Sequence, residues 1–204
     1  MKFEHYFSYC PAAPPNRRLL HTTLRGEKYQ FYTEASVFSR DRIDAGTRLL
    51  VETMDIQPGD TVADWGCGYG PLGLVAARLA YPGQCYLVDI NRRAVALAWE
   101  NARLNGLSNV WVWVGDGFSA VEGQPFTVVV SNPPLRAGKK VVSRLVEEAF
   151  RCLRPGGRLY LVARTRQGAK SLLRQVEAIF SQAETVARKG GYRVFRAERA
   201  RSHE

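Results

Sequence analysis

Residues 64–70 read DWGCGYG, a segment with three glycines that are two positions apart. Glycine lets the backbone turn tightly and approach a ligand closely, because no Cβ stands in the way. The mostly apolar run at 61–65 predicts a buried strand, and residues 71–80 read as a helix with proline in its first turn. A glycine loop between a strand and a helix is typical of nucleotide-binding sites at the carboxyl edge of a parallel sheet.

A second acidic residue, Asp89, ends the next strand-like run, 19 residues after Gly70. A carboxylate at that place can accept hydrogen bonds from the ribose hydroxyls of a cofactor. Residues 68–73 read GYGPLG, which also fits the GxGxxG pattern of dinucleotide-binding proteins. The glycines and Asp89 therefore indicate a cofactor that contains an adenosine ribose, and they leave NAD and S-adenosylmethionine both open.

Asp64 and the segment after the third predicted strand favour S-adenosylmethionine. Asp64 stands where a carboxylate can face the ammonium group of this cofactor, whereas in NAD a carboxylate near the pyrophosphate would repel it. Residues 115–118 read GDGF. Asp116 can accept a hydrogen bond from the adenine amino group, and Phe118 can cover the adenine ring.

A proline-stiffened turn follows the fourth predicted strand, where residues 131–135 read SNPPL. The side-chain carbonyl of Asn132 and the main-chain carbonyl of Pro133 can accept the two hydrogens of an exocyclic NH2 group. Such a grip would aim the nitrogen lone pair at a sulfonium methyl, and displacement depends on that alignment more than on a strong base. Carbonyl dipoles would stabilise the positive charge that develops on nitrogen, so the chemistry needs no nearby histidine.

The charge of the 204-residue chain is unevenly placed. The formal net charge is +10, and residues 136–204 alone carry 17 Lys and Arg against 6 Asp and Glu. Such a basic surface favours an anionic partner, with RNA first. The turn is followed, at the expected rim of the site, by Leu135, Arg136, Lys139, Lys140 and Arg144. We expect Leu135 to pack on the target base and the cations to bind phosphate, with a duplex base flipped out or already unpaired.

The elements that position these motifs alternate between strand and helix from residue 58 onward. Predicted strands span 61–65, 84–89, 110–114, 126–131, 158–164, 184–188 and 192–199, and predicted helices span 71–80, 92–105, 138–153 and 168–180. This alternation predicts an α/β fold with a doubly wound, mostly parallel seven-stranded sheet that ends in an antiparallel hairpin. Residues 1–50 are expected to form a short N-terminal extension, a hairpin at 19–34 and a helix at 41–54, packed on a catalytic domain at 51–204.

Several function classes are disfavoured by composition. No run of about 18 apolar residues exists, and the N-terminus lacks an apolar signal segment, so we expect a cytoplasmic protein without a membrane span. The cysteines form no CxxC pair, which predicts reduced, mostly buried thiols at Cys10, Cys67, Cys85 and Cys152. Three histidines are too few to favour a metal site. A monomer is the expected state.

The motifs resemble the class I methyltransferases, and more narrowly the methyltransferase small group that includes ribosomal RNA guanine-N2 methyltransferases. The resemblance covers about residues 20–200. It rests on the segments 37–39, 64–70, 89–91, 132–135, 167–170 and 189–193. It implies S-adenosylmethionine as cofactor, ribosomal RNA as partner, and a pocket that Phe38 and Ser39 help to close. The best-known small-subunit members carry a second, degenerate methyltransferase-like domain before this one, and about 50 residues precede the sheet here.

A second departure concerns the residue after the two prolines, which is aromatic in many amino methyltransferases and is Leu135 here. We expect Phe38 or Tyr192 to supply the ring that stacks on the target base. The residues expected to act in catalysis are Asn132, Pro133 and Pro134. Those expected to bind the cofactor are Phe38, Asp64, Gly66, Cys67, Gly68, Gly70, Asp89, Ile90, Asp116, Gly117, Phe118 and Asn132.

Three alternatives stay open at this point. The first is another acceptor for the same turn, a protein glutamine side chain or adenine N6 in DNA, since an amide NH2 offers the same donors. The second is a non-catalytic RNA-binding module that keeps the cofactor fold. The third is an NAD oxidoreductase, because the glycine pattern alone fits one.

Overall fold

The computed structural model describes residues 16–35, 37–121 and 123–201, without the side chains of Ser119 and Ala120. It begins with an antiparallel hairpin of β1 (Arg18–Leu24) and β2 (Glu27–Thr33). Helix α1 (Ala45–Thr53) follows, and Asp44 is its N-cap. The predicted hairpin is therefore present, and the helix begins about four residues later than its predicted start.

The rest of the chain alternates between strands and helices. The elements, in chain order, are β3 (Val62–Trp65), α2 (Pro71–Ala80), β4 (Cys85–Asp89), α3 (Arg92–Leu104), β5 (Val110–Val114), β6 (Phe126–Ser131), α4 (Lys139–Cys152), β7 (Leu153–Arg164), α5 (Ala169–Phe180), β8 (Ala183–Lys189) and β9 (Tyr192–Glu198). Short 3-10 helices lie at Phe118–Val121, Leu135–Ala137 and Thr165–Gln167.

Seven strands form one sheet in the order β5-β4-β3-β6-β7-β9-β8. All neighbours are parallel except β9, which runs antiparallel to both β7 and β8. The strand order reverses between β3 and β6, and such a switch point opens a crevice at the carboxyl ends of the strands. The predicted α/β fold, with its mostly parallel seven-stranded sheet and C-terminal antiparallel strands, is confirmed.

Strand β7 begins five residues earlier than its predicted start at Arg158. Leu153 pairs with Phe126, and the register then shifts before Val128 pairs with Arg158. Leu153 is buried in the core, so this first part of the strand is fixed by packing. Arg199 secures the same corner by donating to the carbonyls of Phe150 at 2.9 Å and Arg151 at 3.0 Å near the end of α4.

Two apolar clusters cover the two faces of the sheet. One joins the β1–β2 hairpin with α1, α2 and α3, and the other joins α4 and α5. All residues of the central strands β3 and β6 are buried, which explains their continuous apolar character. The domain boundary predicted at residue 50 falls inside α1, where Leu50 and Val51 share a cluster with Leu24. The division into extension and domain stays a prediction.

Other sequence expectations meet the structure only in part. Within the described ranges no helix has the length and apolar character needed to cross a membrane. In the same ranges no group of three or more His, Cys, Asp and Glu residues could hold a metal ion. Cys67 and Cys85 are buried and Cys152 is half-buried, all three as free thiols, while Cys10 lies outside the described residues.

Candidate functional site

A cavity of about 380 Å³ lies at the carboxyl edge of the sheet, at the switch point between β3 and β6. It brings together the glycine loop, the end of β4, the start of α1 and the proline turn after β6. Its walls are formed by residues 37–39, 44, 47, 64–69, 71–72, 88–91, 94, 115–116, 132–134, 137, 141 and 144.

Most of the predicted site residues line this cavity. The lining ones are Phe38, Asp64, Gly66, Cys67, Gly68, Asp89, Ile90, Asp116, Asn132, Pro133 and Pro134. Those that do not line it are Gly70, Gly117, Phe118, Leu135, Arg136, Lys139 and Lys140. Lining a cavity does not test a role, so the individual functions stay predictions.

The glycine loop is held in a left-handed conformation by its neighbours. Gly66 and Gly68 have φ of 72° and 57°, and a Cβ at either position would meet nothing within 4 Å. The backbone N–H groups of Gly66 and Cys67 donate to the carbonyl of Val88 at 2.8 and 3.1 Å. Glycine is needed here for the conformation and for the open face of the loop. Gly70, at φ 96°, is the N-cap of α2.

Asp64 is a buried carboxylate without a full set of partners. It is 1 % exposed, and its Oδ2 has no hydrogen-bond donor among the described residues. Burial raises the pKa of Asp64 to about 8, and the nearby charge of Asp89 adds to this effect. An ionised carboxylate in such surroundings needs a cation, so the site fits a ligand that brings an ammonium group.

Asp89 holds the loop and remains available to a ligand. Its Oδ2 accepts from the backbone N–H of Gly68 at 2.8 Å, and its Oδ1 accepts from that of Asn91 at 2.8 Å. Burial raises the pKa of Asp89, and these two N–H groups oppose the rise. Each carboxylate oxygen can accept more than one hydrogen bond, so Asp89 can also take the two hydroxyls of a ribose.

Asn132 is fixed in one orientation by α1. Its Nδ2 donates to Asp44 Oδ2 at 3.2 Å and to Thr47 Oγ1 at 3.0 Å. A carboxylate only accepts, so the amide group must present its NH2 to Asp44. The Ser131 hydroxyl, which donates to the Trp65 carbonyl at 2.7 Å, ties the turn to β3. The Asn132 carbonyl oxygen is therefore left as an acceptor at the cavity wall.

Asp44 is a site residue that sequence reasoning missed. Besides binding Asn132, it caps α1 by accepting from the N–H groups of Gly46 at 2.8 Å and Thr47 at 3.2 Å. Its other oxygen accepts from the hydroxyl of Tyr192 at 3.2 Å. Aspartate before a helix is a recognisable N-cap signal, but the cap does not reveal a partner 88 residues away.

Two residues predicted to bind the cofactor after β5, Gly117 and Phe118, lie outside the cavity lining. Phe118 is 2 % exposed and packs against Phe126 with ring centroids 6.2 Å apart, so its ring belongs to the core. Its predicted place over the adenine ring stays a prediction. Gly117 leaves room for Glu148, which accepts from the N–H of Phe118 at 3.0 Å. Asp116 lies at the cavity but is exposed and forms an ion pair with Arg144.

The residues expected to bind substrate do not line the cavity. Leu135 is half-buried against the core cluster of α4 and α5, so it does not face the cavity. Arg136, Lys139 and Lys140 are exposed at the start of α4, close in sequence to the turn. The ring of Tyr192 lies over Gly46, outside the cavity lining, so its expected stacking on the base stays a prediction.

The comparisons with known proteins agree with this architecture. Residues 28–196 match the family model described as the methyltransferase small domain. The chain is 36% identical over 200 residues to the uncharacterized protein YbxB of Bacillus subtilis, covering 96% of this chain and 98% of YbxB. It is 36% identical to ribosomal RNA small subunit methyltransferase C of Sodalis glossinidius, covering 81% of this chain and 47% of that protein.

A solved structure extends the likeness to three dimensions. The 16S rRNA N2 guanine methyltransferase RsmC of Thermus thermophilus, in complex with AdoMet and guanosine, superposes with a TM-score of 0.81 at 27% identity. The match covers 93% of this chain and 52% of RsmC. The chain thus spans nearly all of YbxB and about half of the named rRNA methyltransferases. It belongs to the methyltransferase small domain family of S-adenosylmethionine-dependent methyltransferases.

Proposed function

We propose that this protein transfers a methyl group from S-adenosylmethionine to the exocyclic amino group of an RNA base, with guanine N2 in ribosomal RNA as the first candidate. The observation that carries the proposal is the orientation of Asn132. Asp44 and Thr47 take its amide hydrogens, so its carbonyl oxygen is available to an incoming NH2 group. The small-subunit rRNA methyltransferases among its relatives support the RNA acceptor.

The cofactor side of the cavity has groups that fit each part of S-adenosylmethionine. Asp64 would bind the ammonium group, Asp89 would accept from the ribose hydroxyls, and the open face of Gly66 and Gly68 would admit the chain between them. Asp116 would accept from the adenine amino group. When bound, the cofactor supplies a methyl group on a positively charged sulfur, and the protein's own groups do the rest by binding and orientation.

The acceptor side would hold the amino group through two carbonyls. Asn132 Oδ1 can accept one hydrogen and the Pro133 carbonyl the other, although Pro133 already accepts from the N–H of Leu135 at 2.8 Å and has one lone pair left. This grip turns the nitrogen lone pair away from ring conjugation. The carboxylate of Asp44 polarises the Asn132 amide, which makes Oδ1 a better partner as positive charge grows on nitrogen. The proton leaves afterwards to solvent.

The RNA backbone would approach along the start of α4. Arg136, Lys139 and Lys140 are exposed there, and none has an acidic partner within the described ranges. Phosphate contacts of this kind supply affinity without sequence preference. Replacing Lys139 and Lys140 by glutamate should weaken RNA binding and leave the affinity for S-adenosylhomocysteine unchanged, because neither lysine lines the cavity.

The proposal is tested by locating the transferred methyl group. The protein is incubated with labelled cofactor and with ribosomal RNA, either free or in isolated subunits, and the product is digested with RNase or with protease. Label released by RNase as a methylated guanosine supports the proposal, while label in protein or on DNA adenine contradicts it. Asn132→Ala is the matched control, expected to bind S-adenosylhomocysteine normally and to retain only a slow, measurable residual turnover. Binding of NADH in place of S-adenosylhomocysteine would contradict the assignment of S-adenosylmethionine as the cofactor.

A further inference from the structure

A group of cations lies where β7 ends and where the β8–β9 hairpin turns. Its members, which we call the basic hairpin surface, are Arg164, Arg166, Arg188, Lys189 and Arg193. Four of the five are exposed and Arg193 is half-buried. None has an acidic partner in the part of the chain that the structure describes.

Two of these cations face each other directly. Arg188 and Arg193 are paired across β8 and β9, and opposed residues of an antiparallel pair share one face with Cβ atoms about 4.5–5.5 Å apart. Like charges at that distance destabilise a hairpin. The other end of the same hairpin is built differently, since Arg196 is paired with Glu184 at 3.1 Å and with Glu198 at 2.9 Å. Carboxylates therefore neutralise the positive charge at the Arg196 end of the hairpin. At the Arg188–Arg193 end no carboxylate of the described residues does so.

The start of α5 adds to the positive potential at this edge. The helix begins one 3-10 turn after β7 ends, and its N-cap, Gly168, offers no side chain to the free N–H groups. No acidic residue lies in the first turn, and Lys170 is exposed there. Free N–H groups and the helix dipole favour an anion at such an end, in agreement with the unpaired arginines nearby.

The basic hairpin surface is joined to the candidate site through Tyr192. The strand register places Tyr192 between Arg164 on β7 and Lys189 on β8, and the guanidinium of Arg164 lies 5.6 Å from the centre of its ring. The Tyr192 hydroxyl donates to Asp44, which also holds Asn132. Arg164 and Lys189 therefore share a sheet face with Tyr192, next to the group that orients the reaction turn. Arg188 and Arg193 lie on the opposite face of the same edge, because successive strand residues alternate between faces.

We propose that the basic hairpin surface binds the phosphate backbone of the RNA substrate at nucleotides that flank the target base. The inference rests on the proposed RNA methyltransferase function and adds a second contact to the one at Lys139 and Lys140. Arginine suits this task because its planar fork matches phosphate oxygens in a bidentate way. A bound phosphate between Arg188 and Arg193 would also relieve their mutual repulsion.

Charge reversal with a matched control tests the inference. Arg188→Glu alone replaces a like-charged pair with an opposite pair, so the fold should be as stable as before or more stable while RNA affinity falls. The double variant R188E/R193E should lower the affinity for an in vitro transcript of ribosomal RNA about tenfold or more and reduce the salt slope of log K by about 2. The control K28E/R154E has the same net charge, and its two positions are exposed and do not line the cavity.

Fluorescence anisotropy at several salt concentrations measures the RNA affinity, and calorimetry with S-adenosylhomocysteine and the thermal midpoint show that each variant is folded. Equal losses in R188E/R193E and K28E/R154E would overturn the inference, because net charge alone would then explain them. Loss of RNA binding in K139E/K140E but not in the hairpin variants would overturn it as well and leave the proposed function standing. If the unmodified protein binds no RNA, the proposed function itself fails.

Discussion

Replacing Asp44 by serine would separate two tasks that this carboxylate performs. Asp44 caps α1 through the N–H groups of Gly46 and Thr47, and it also fixes the amide of Asn132. Serine is about as good an N-cap as aspartate. Its single, shorter hydroxyl cannot cap the helix and also reach Asn132. We therefore expect Asp44→Ser to keep the fold and to release the side chain that grips the target amino group.

The size of the effect follows from the bond that is lost. A hydrogen bond to a charged group contributes about 1.5–3 kcal/mol, and about 1.4 kcal/mol corresponds to a tenfold change in rate. If this energy serves to orient Asn132 in the transition state, kcat should fall about 10- to 150-fold. The free energy of unfolding should fall by only about 1–2 kcal/mol, because the cap is kept and only the hydrogen bonds from Asn132 and Tyr192 are lost. Affinity for S-adenosylhomocysteine should not change.

Single-turnover methylation at saturating RNA and cofactor measures the chemical step, and thermal unfolding checks the cap. The decisive comparison is a double-mutant cycle with Asn132→Ala. If Asp44 acts through Asn132, the double variant should be no slower than Asn132→Ala alone. An equal further loss from Asp44→Ser in that background, or unchanged activity of Asp44→Ser itself, would refute the positioning role.

Three further predictions concern the cofactor side. Because burial raises the pKa of Asp64 to about 8, well above its unfolded value of about 4, the stability of the ligand-free protein should fall as pH rises between these values. Asp64→Asn should reduce this fall to the part that Asp89 contributes, since its pKa is also raised. The same variant should remove the rise of S-adenosylhomocysteine affinity toward pH 8, and a parallel pH profile in both proteins would contradict the prediction. Gly73→Ala should lower the free energy of unfolding by about 1–3 kcal/mol in chemical denaturation, since its Cβ would lie 2.7 Å from Leu87. An unchanged free energy of unfolding would show that the Leu87 side chain can shift to make room. Asp116→Asn should keep S-adenosylhomocysteine affinity in calorimetry and Asp116→Ala should lower it, and equal affinities would show that Asp116 serves only Arg144.

The parts of this protein that follow from local spacing could be predicted from sequence. The glycine loop, Asp64 and Asp89 each stand at the end of a strand, so their positions follow from the strand pattern. Phe118 could not be placed in this way. It comes just after β5, but a 3-10 turn directs its ring into the core beside Phe126, and local sequence does not encode on which side of such a turn a ring lies.

The supports of the reaction turn were missed for a different reason. Asn132 is oriented by Asp44 and Thr47, which lie 88 and 85 residues earlier, and Asp44 is in turn bound by Tyr192, 148 residues later. These hydrogen bonds exist because α1 packs beside β7 and β9. No spacing rule along the chain predicts such contacts, although the N-cap pattern predicts that Asp44 begins a helix.

For the proposed base acceptor, we expect the ring that stacks on the target base to come from outside the turn. Leu135, which stands where many amino methyltransferases have an aromatic residue, packs on the core. Tyr192 donates to Asp44 and covers Gly46. Of the two rings considered, Phe38 alone lines the cavity, and it is 39% exposed. The adjacent carbonyl of Ser39 accepts from the buried Tyr69 hydroxyl at 3.2 Å, which anchors this loop. An anchored, exposed ring at the mouth is suited to stacking, which contributes about 1–3 kcal/mol per base. We therefore propose that the segment before α1 completes the acceptor site.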